Sequence, residues 1–583
     1  MRNGLAWLLA AASGASIVSA QSLRQLADER GIRVGAAAAP AYFGEAQYGA
    51  TLAREFNQLE PENAMKFGPI HPGPATYNFD PADTLVNFAK TNNMAVRGHT
   101  LVWHNQLPAW LSGGGYTPSQ LFSILQDHIR TVVGHYAGQV YAWDVTNEAF
   151  NDDGTIRSTL WSDSPGIGLA GTAYIEQALR WAHDADPKAL LFYNDYGAEL
   201  TNAKSDAIYA MVQDFRSRGV PIDGVGLQMH LTTKTGSLGS IESNFRRLTS
   251  LGIQVQITEL DVRIPVDSSG NAGGPDLATQ AQIYHDIVAL CLKFSRCTAL
   301  QTWGFTDKYS WIPGNFPGTG AGLEFDADYQ PKPAYNSMAA TLKSAPPVIS
   351  DASLTNAASY ATQAVAPGEV VVLFGATYGP ASLAISQPDP SGRLPTAFSN
   401  TRVWFDSTPA PIVYTRIGQT AAVVPFAVAG QTTTQMSYEY RNVRSDPITL
   451  NVAPTVPGIF TLDASGQGAG AILDGSYRVI SQANPARRGS FVSLFATGGG
   501  VTNPLSLDGQ VLLEPPFPTV EGVHVKIGGV DCPVQYAGSA SGLVAGVLQV
   551  NVQIPATALS GRQALQLTIG AGSSAPDVTV WVQ

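Results

Sequence analysis

Between about residues 23 and 342, short β-prone runs alternate with amphipathic helical stretches some eight times, and no other feature limits the fold of this chain so tightly. The strand candidates are Arg33–Ala37, Phe56–Leu59, Ala95–Gly98, Val140–Val145, Leu190–Tyr193, Gly224–Leu227, Gln254–Thr258 and Ala299–Trp303. Helical patterns fall between them at Thr84–Thr91, Ser119–His135, Ala170–Ala185, Lys204–Arg218, Ser240–Ser250 and Thr279–Phe294. Eightfold repetition of this unit predicts an α/β TIM (β/α)8 barrel. An open doubly wound sheet is the competing architecture, but no Gly-rich phosphate loop follows the first strand.

A barrel brings the C-terminal ends of its strands together on one face. That is where this chain keeps its polar residues: His99, Asn147, Glu148, Asn194, Asp195, Gln228, His230, Glu259, Asp261 and Asp307. Near Lys343 the character changes. Ser344-Ala-Pro346-Pro347 reads as a linker, and beyond it helices give way to Val/Ile/Thr-rich runs between Gly, Pro and Ser turns. Such material builds all-β, immunoglobulin-like sandwiches. It also repeats: Val370-Val-Val-Leu-Phe374 resembles Phe491-Val-Ser-Leu-Phe495, and Pro411-Ile-Val-Tyr414 resembles Pro533-Val-Gln-Tyr536. The expected organisation is therefore 1–20 export signal, 21–343 barrel, 344–355 linker, 356–455 first β-sandwich repeat and 456–583 second repeat.

The 583 residues suit several domains, and a net charge of −11 argues against a nucleic-acid partner. Arg2, the apolar Leu5–Ala12 stretch and Val18-Ser-Ala20 ahead of Gln21 form the ordered triad of an export signal. No later segment is long and apolar enough to span a bilayer, so a secreted or cell-surface bacterial protein is expected, monomeric and without a membrane partner. Cys291 and Cys297 could staple a short turn in an oxidising compartment, whereas Cys532 is expected as a buried thiol. No Cys/His spacing suggests a metal site, and no cofactor is called for.

Glu148 ends Tyr141-Ala-Trp-Asp-Val-Thr-Asn147-Glu148, and Glu259 ends Val255-Gln-Ile-Thr-Glu259. Two carboxylates at a barrel mouth are the minimum apparatus for cleaving a glycosidic bond, one protonated and one ionised. Asn147, one residue before Glu148, can donate to a sugar hydroxyl. Asp261 lies two positions past Glu259 and so faces the same way along a strand. His230, on the preceding strand, is placed to sit between Glu259 and Asp261 and hold the first ionised.

These motifs together resemble the glycoside hydrolase family 10 endo-β-1,4-xylanases over about Leu23 to Leu342. The likeness runs in order through Phe56–Lys66, Arg97–Gln106, Trp143–Glu148, Asn194–Tyr196, Gly226–His230, Ile257–Asp261 and Trp303–Trp311. Cys291 and Cys297 resemble a disulfide of many members. The resemblance implies xylan or xylo-oligosaccharides as substrate and a retaining double displacement, with Glu148 as acid/base and Glu259 as nucleophile. It implies sugar-binding roles for Glu62, Asn63, Lys66, His99, Trp103, Gln106, Tyr196, Gln228, Trp303 and Trp311. The chain departs from the family pattern at Glu60, where a small or hydroxyl residue is common, at Phe67, where Trp is common, and at Gly197, where Asn often follows Asp-Tyr.

Two other readings compete. A different barrel β-glycanase acting on cellulose could use the same two glutamates, and a non-catalytic polysaccharide-binding or adhesion protein could keep the barrel without them. The second is disfavoured by the intact set of strand-end residues. From Asn356 onward the chain is similar to a β-rich C-terminal module on exported proteins of acidobacteria. Trp404, Tyr414, Tyr438, Tyr440 and Tyr536 are its candidate sugar-stacking aromatics, although aromatics alternating along strands more often fill a core.

Overall fold

The computed structural model describes residues 21–234, 236–362, 364–375, 378–380, 382–511 and 517–583. The expected export signal, 1–20, lies outside the described residues. The chain enters through helix Leu23–Arg30, capped at its start by Ser22 with Gln25 and at its end by Gly31 in the left-handed region.

Eight parallel strands follow: β1 Arg33–Ala38, β2 Gln58–Pro61, β3 Ala95–Val102, β4 Ala142–Asn147, β5 Leu190–Asp195, β6 Gly224–Leu227, β7 Gln254–Pro265 and β8 Cys297–Thr302. Each pairs in parallel with the next, and β8 pairs back onto β1 through Val34↔Leu300 and Gly35↔Gln301, closing the barrel. Outer helices bury one apolar stripe each; Pro118–His135, for example, turns Leu121, Leu125, Ile129, Val132 and Val133 inward.

All eight expected strands are present. β7 departs most, running seven residues past Thr258. Its extension is held by Thr319–Gly320 on one side and by a short strand, His230–Thr232, on the other. The sequence pattern ends early because Glu259, Asp261 and Arg263 break the apolar run while the backbone continues to pair. The barrel interior is polar as well as apolar: Gln58, Glu60, Arg97, Asp144, Gln256 and Gln301 are all fully buried. The disulfide Cys291–Cys297 joins the helix Gly274–Lys293 to the start of β8, and Cys532 is free and buried.

Helix Pro333–Ser344 ends the barrel, and the next strand opens at Leu354. Beyond it lie two pairs of antiparallel sheets, each pair with its own apolar core. Corresponding strands recur: Val370–Phe374, Thr401–Phe405, Thr408–Ala410 and Ile412–Arg416 match Phe491–Thr497, Val523–Ile527, Val530–Cys532 and Val534–Ser539. Even a register irregularity recurs, between Ile412 and Tyr414 and again between Val534 and Tyr536. Tyr438 and Tyr440 are core residues, as alternation along a strand predicts. Trp404 is half-buried, with Nε1 donating to Glu439 and Arg444 over its ring.

The first sandwich meets the barrel at the end of the helix before β1, the face opposite the strand C-termini. Arg30 donates to the carbonyls of Leu342 and Ala345, and Tyr378 lies 3.7 Å over its guanidinium. Arg441 pairs with Glu29 at 2.5 Å. Gly31 is required here twice over: its φ is +64°, and a Cβ would sit 2.8 Å from Ile417.

Candidate active site

The C-terminal strand ends line a cleft of about 620 Å³. Every sugar-binding candidate lines it: Glu62, Asn63, Lys66, His99, Trp103, Gln106, Tyr196, Gln228, Trp303 and Trp311, together with Asn147, Glu148, His230 and Glu259. Glu148 directly follows β4 and Glu259 lies on β7, so the ring of strands divides between them. One arc, β5 and β6, carries Tyr196 and Gln228. The longer arc, β8 through β3, carries Trp303, Glu62, Lys66, His99 and Trp103.

A chain of amides joins the two carboxylates. Gln228 Nε2 donates to Glu148 Oε1 (3.1 Å) and to Asn147 Oδ1 (3.2 Å), and Asn194 Nδ2 donates to Asn147 Oδ1 (2.9 Å) and to Glu259 Oε1 (2.8 Å). The other Glu148 oxygen accepts from Trp103 Nε1 at 2.9 Å. Glu148 itself has φ of +56°, a left-handed backbone that costs a non-glycine residue about 1–2 kcal/mol. Three bonds fix it: Glu148 N to the Asn194 carbonyl (2.9 Å), Ala149 N to the Tyr193 hydroxyl (2.9 Å), and Arg157 Nε to the Glu148 carbonyl (3.1 Å). The strain turns the carboxyl from the strand axis into the cleft.

His230 stands between Glu259 Oε2 (3.2 Å) and Asp261 Oδ2 (2.9 Å), and Trp311 Nε1 donates to the same Asp261 oxygen at 2.8 Å. Burial pulls the imidazole pKa down, but the flanking Asp261 and Glu259 carboxylates outweigh it and raise it to about 10. Both ring nitrogens therefore donate. Burial likewise pushes Glu259 up, yet the hydrogen bond from His230, the nearby His99 and the Asn194 amide hold its pKa below the ordinary glutamate value. Glu259 is ionised and aimed. Lys66, lowered by burial against the pull of Glu259, Glu62 and Glu148, donates to Asn63 (3.0 Å) and lies 4.9 Å from the Trp103 ring and 5.4 Å from Trp303. An ammonium, flat aromatic faces and amides in one wall suit the hydroxyls and apolar faces of a pyranose.

Among the described residues, one trio brings ligand atoms within 4.8 Å of one another, namely Glu60, His99 and Glu259. Gln301 already engages Glu60 Oε2, Asp144 engages His99 Nδ1, and Asn194 and His230 engage the two Glu259 oxygens, which leaves only Glu60 Oε1 without a hydrogen-bond partner among the trio's carboxylate oxygens.

Asn194 was read from sequence as a strand-end residue without a role, but it is the amide that touches Glu259. Its signal was position alone. Glu199, Arg263, Asn315 and Phe316 also line the cleft; they sit on loops, on the β7 extension and at the end of the one-turn helix Ile312–Asn315, where periodicity carries no information. Three strand-end carboxylates lie outside the cleft lining: Asp261, which holds His230, Asp195 and Asp307. Asp195 bonds the Tyr193 hydroxyl and Lys204 (3.3 Å), and Asp307 pairs with Lys332 at 2.7 Å.

The sequence profile of Glycosyl hydrolase family 10 matches residues 22–341. This chain belongs to glycosyl hydrolase family 10. Its barrel is 46% identical over 316 residues to endo-1,4-β-xylanase B of Thermotoga neapolitana, a match spanning 54% of this chain and 89% of that protein. It is 41% identical over 295 residues to the endo-1,4-β-xylanase of Agaricus bisporus, spanning 50% and 85%. Native xylanase 10B from Thermotoga maritima superposes with a TM-score of 0.53 at 46% identity, over 55% of this chain and 98% of that one. Xylanase 10B from Thermotoga petrophila RKU-1, solved with xylobiose, does so equally (TM-score 0.53, 46% identity, 55% and 97%). As a family 10 enzyme, the chain carries an endo-1,4-β-xylanase domain, and the barrel holds all of it. The profile ends at residue 341, before the β-rich half begins.

Proposed function

We propose that this family 10 enzyme is exported and cuts internal β-1,4-xylosidic bonds of xylan with retention of anomeric configuration. The observation that carries the reading is the contrast between its two glutamates. Glu259 is buried, held by Asn194 and His230, and kept ionised; Glu148 is set across the cleft at the other end of the amide chain.

A xylan chain lies across the mouth with its scissile oxygen at Glu148. Glu259 attacks the anomeric carbon while Glu148 gives its proton to the departing oxygen, so the bond to the leaving sugar breaks as the bond to Glu259 forms. Attack consumes the charge on Glu259, and His230 and Asn194 follow that change through hydrogen bonds already in place. The leaving chain departs, and water enters. Glu148, now a carboxylate, takes a proton from that water, which attacks the same carbon and releases Glu259. Two inversions give net retention.

Export rests on the signal pattern in residues 1–20, and the sandwich pair is proposed as the β-rich module carried by exported acidobacterial proteins. A monomer suffices, since one chain supplies every group in the reaction.

Proton NMR of xylohexaose digestion gives the test. The β-anomer must appear first and mutarotate later; α-anomer appearing first overturns the double displacement. Parallel digestion of cellohexaose checks the sugar class, and faster cleavage there would overturn the substrate assignment. Amino-terminal sequencing of the exported protein should begin at Gln21.

A further inference from the structure

Glu60 has no place in the reaction as drawn, yet it is one of the most enclosed carboxyls in the barrel. It sits on β2, fully buried. Oε2 accepts from Gln301 Nε2 and lies 3.4 Å from Arg97 Nε, while Oε1 has no hydrogen-bond partner and lies 3.4 Å from His99 Nδ1. The same His99 nitrogen bonds Asp144 Oδ2 at 3.1 Å. Ligand atoms of Glu60, His99 and Glu259 fall within 4.8 Å of one another, so this carboxyl lies close beside the nucleophile.

Charge decides its state. Arg97 is the cation closest to Glu60, and it is already ion-paired with Asp144. Lys66 is shared by Glu259, Glu62 and Glu148, with Glu60 the weakest of the four pulls on it, and His230 is flanked by Glu259 and Asp261. Tyr141, which also faces this layer, brings no charge. A second anion here would have no cation of its own. Burial and the neighbouring Asp144 push the Glu60 carboxyl well above the ordinary range, with Arg97 opposing and Glu259 adding to the rise.

We propose that Glu60 is a positioning residue: an uncharged acid beside Glu259 that leaves His99 bonded to Asp144 alone and thereby fixes the sugar site that His99 lines. With Glu60 uncharged, His99 Nδ1 bonds Asp144 alone, and that single bond fixes how the ring lines the cleft. Ionised Glu60 would set a second carboxylate 3.4 Å from Nδ1 in competition with Asp144, and the ring would be drawn off its 3.1 Å bond. The inference rests on Glu259 being the nucleophile, so Glu259→Ala is run alongside: activity surviving in that variant sinks the mechanism without bearing on Glu60.

Glu60→Gln keeps the shape and cannot ionise. A proton retained in the folded state but lost by the unfolded chain above about pH 4.3 makes stability fall as pH rises. Gln removes that slope. The melting temperature of Glu60→Gln minus that of the parent should therefore grow from pH 5 to pH 8. Meanwhile kcat/KM on an aryl β-xylobioside should fall about threefold, with its acid limb unmoved. A constant melting difference, with the acid limb shifted to lower pH, would mean an ionised Glu60 and overturn the proposal. Glu60→Thr, smaller and also uncharged, should show the same melting trend and raise KM about tenfold with a lesser effect on kcat. In a His99→Asn background that KM effect should vanish. If it persists in full, Glu60 does not act through His99 and the positioning role is wrong.

Discussion

The barrel and the paired sandwiches bury polar groups for opposite ends. In the barrel, Glu60, Arg97, His99, Asp144, Glu259 and Asp261 are buried beside one another; this setting pushes Glu60 well up, holds Glu259 below the ordinary glutamate value and raises the adjoining His230 to about 10. In the sandwiches the buried polar residues are mostly hydroxyls, such as Thr401, Thr415, Thr420, Thr434 and Thr497. Those hydroxyls find neutral partners: Thr415 bonds Thr420 at 2.9 Å, and Thr497 accepts from Val370 N of the other sandwich at 2.8 Å. Buried hydroxyls are inexpensive once satisfied, whereas buried charges are costly and persist where a reaction uses them. Chemistry belongs to one half, and packing to the other.

That contrast breaks first if activity survives loss of Glu259. Glu259→Ala should lower xylan hydrolysis by about 10⁴-fold or more, with melting temperature changed little or raised, because the variant removes a buried charge along with the covalent step. Glu148→Ala should cost about 10²–10⁴-fold on xylan, and less on an aryl xyloside whose leaving group needs no proton. Initial rates on both substrates check these, with melting curves as the folding control.

His230→Asn sharpens the electrostatic side. The imidazolium stabilises an ionised Glu259, so its loss must raise the nucleophile's pKa and move the acid limb of kcat/KM to higher pH. Activity at pH 5 should drop about 10²-fold and recover partly toward pH 7. Stability carries its own sign. The folded His230 pKa of about 10 exceeds the unfolded value near 6.5, so its contribution is complete below about pH 6.5 and fades as pH climbs through about 10. The variant should therefore melt furthest below the parent at pH 5–6 and approach it near pH 10.

How far the sequence carried the barrel follows from the same physics. Strands β1, β5 and β6 were legible because apolar, β-prone runs mark a strand buried on both faces. The β7 extension was not, because Glu259, Asp261 and Arg263 are polar for the sake of the cleft while the backbone still pairs. Glu148, Glu259 and His230 were found as strand-end residues in company. Asn194 was passed over because an amide at a strand end has the same signal whether it bonds a nucleophile or a loop. Glu60 was noticed only as a departure from the family pattern. Its surroundings come from four different strands, and no spacing in the chain could have assembled them.

The smallest expected effect on catalysis is also the other half of the comparison. Tyr378 covers the Arg30 guanidinium and passes a hydrogen bond to the Pro346 carbonyl at 2.8 Å, while its own carbonyl accepts from Tyr438. Among the described residues, none beyond Phe316 lines the cleft. Tyr378→Ala should leave kcat and KM on soluble xylo-oligosaccharides within about twofold of the parent. It should lower stability by about 2–4 kcal/mol, through the cavity and the uncovered buried cation. Arg30 carries the argument, for it holds the carbonyls of Leu342 and Ala345 at the end of the last barrel helix. If the sandwich were a tethered appendage, calorimetry would show the barrel transition unmoved by the substitution. A fall in the barrel transition with kinetics intact would make the β-rich half a clasp on the face away from the chemistry.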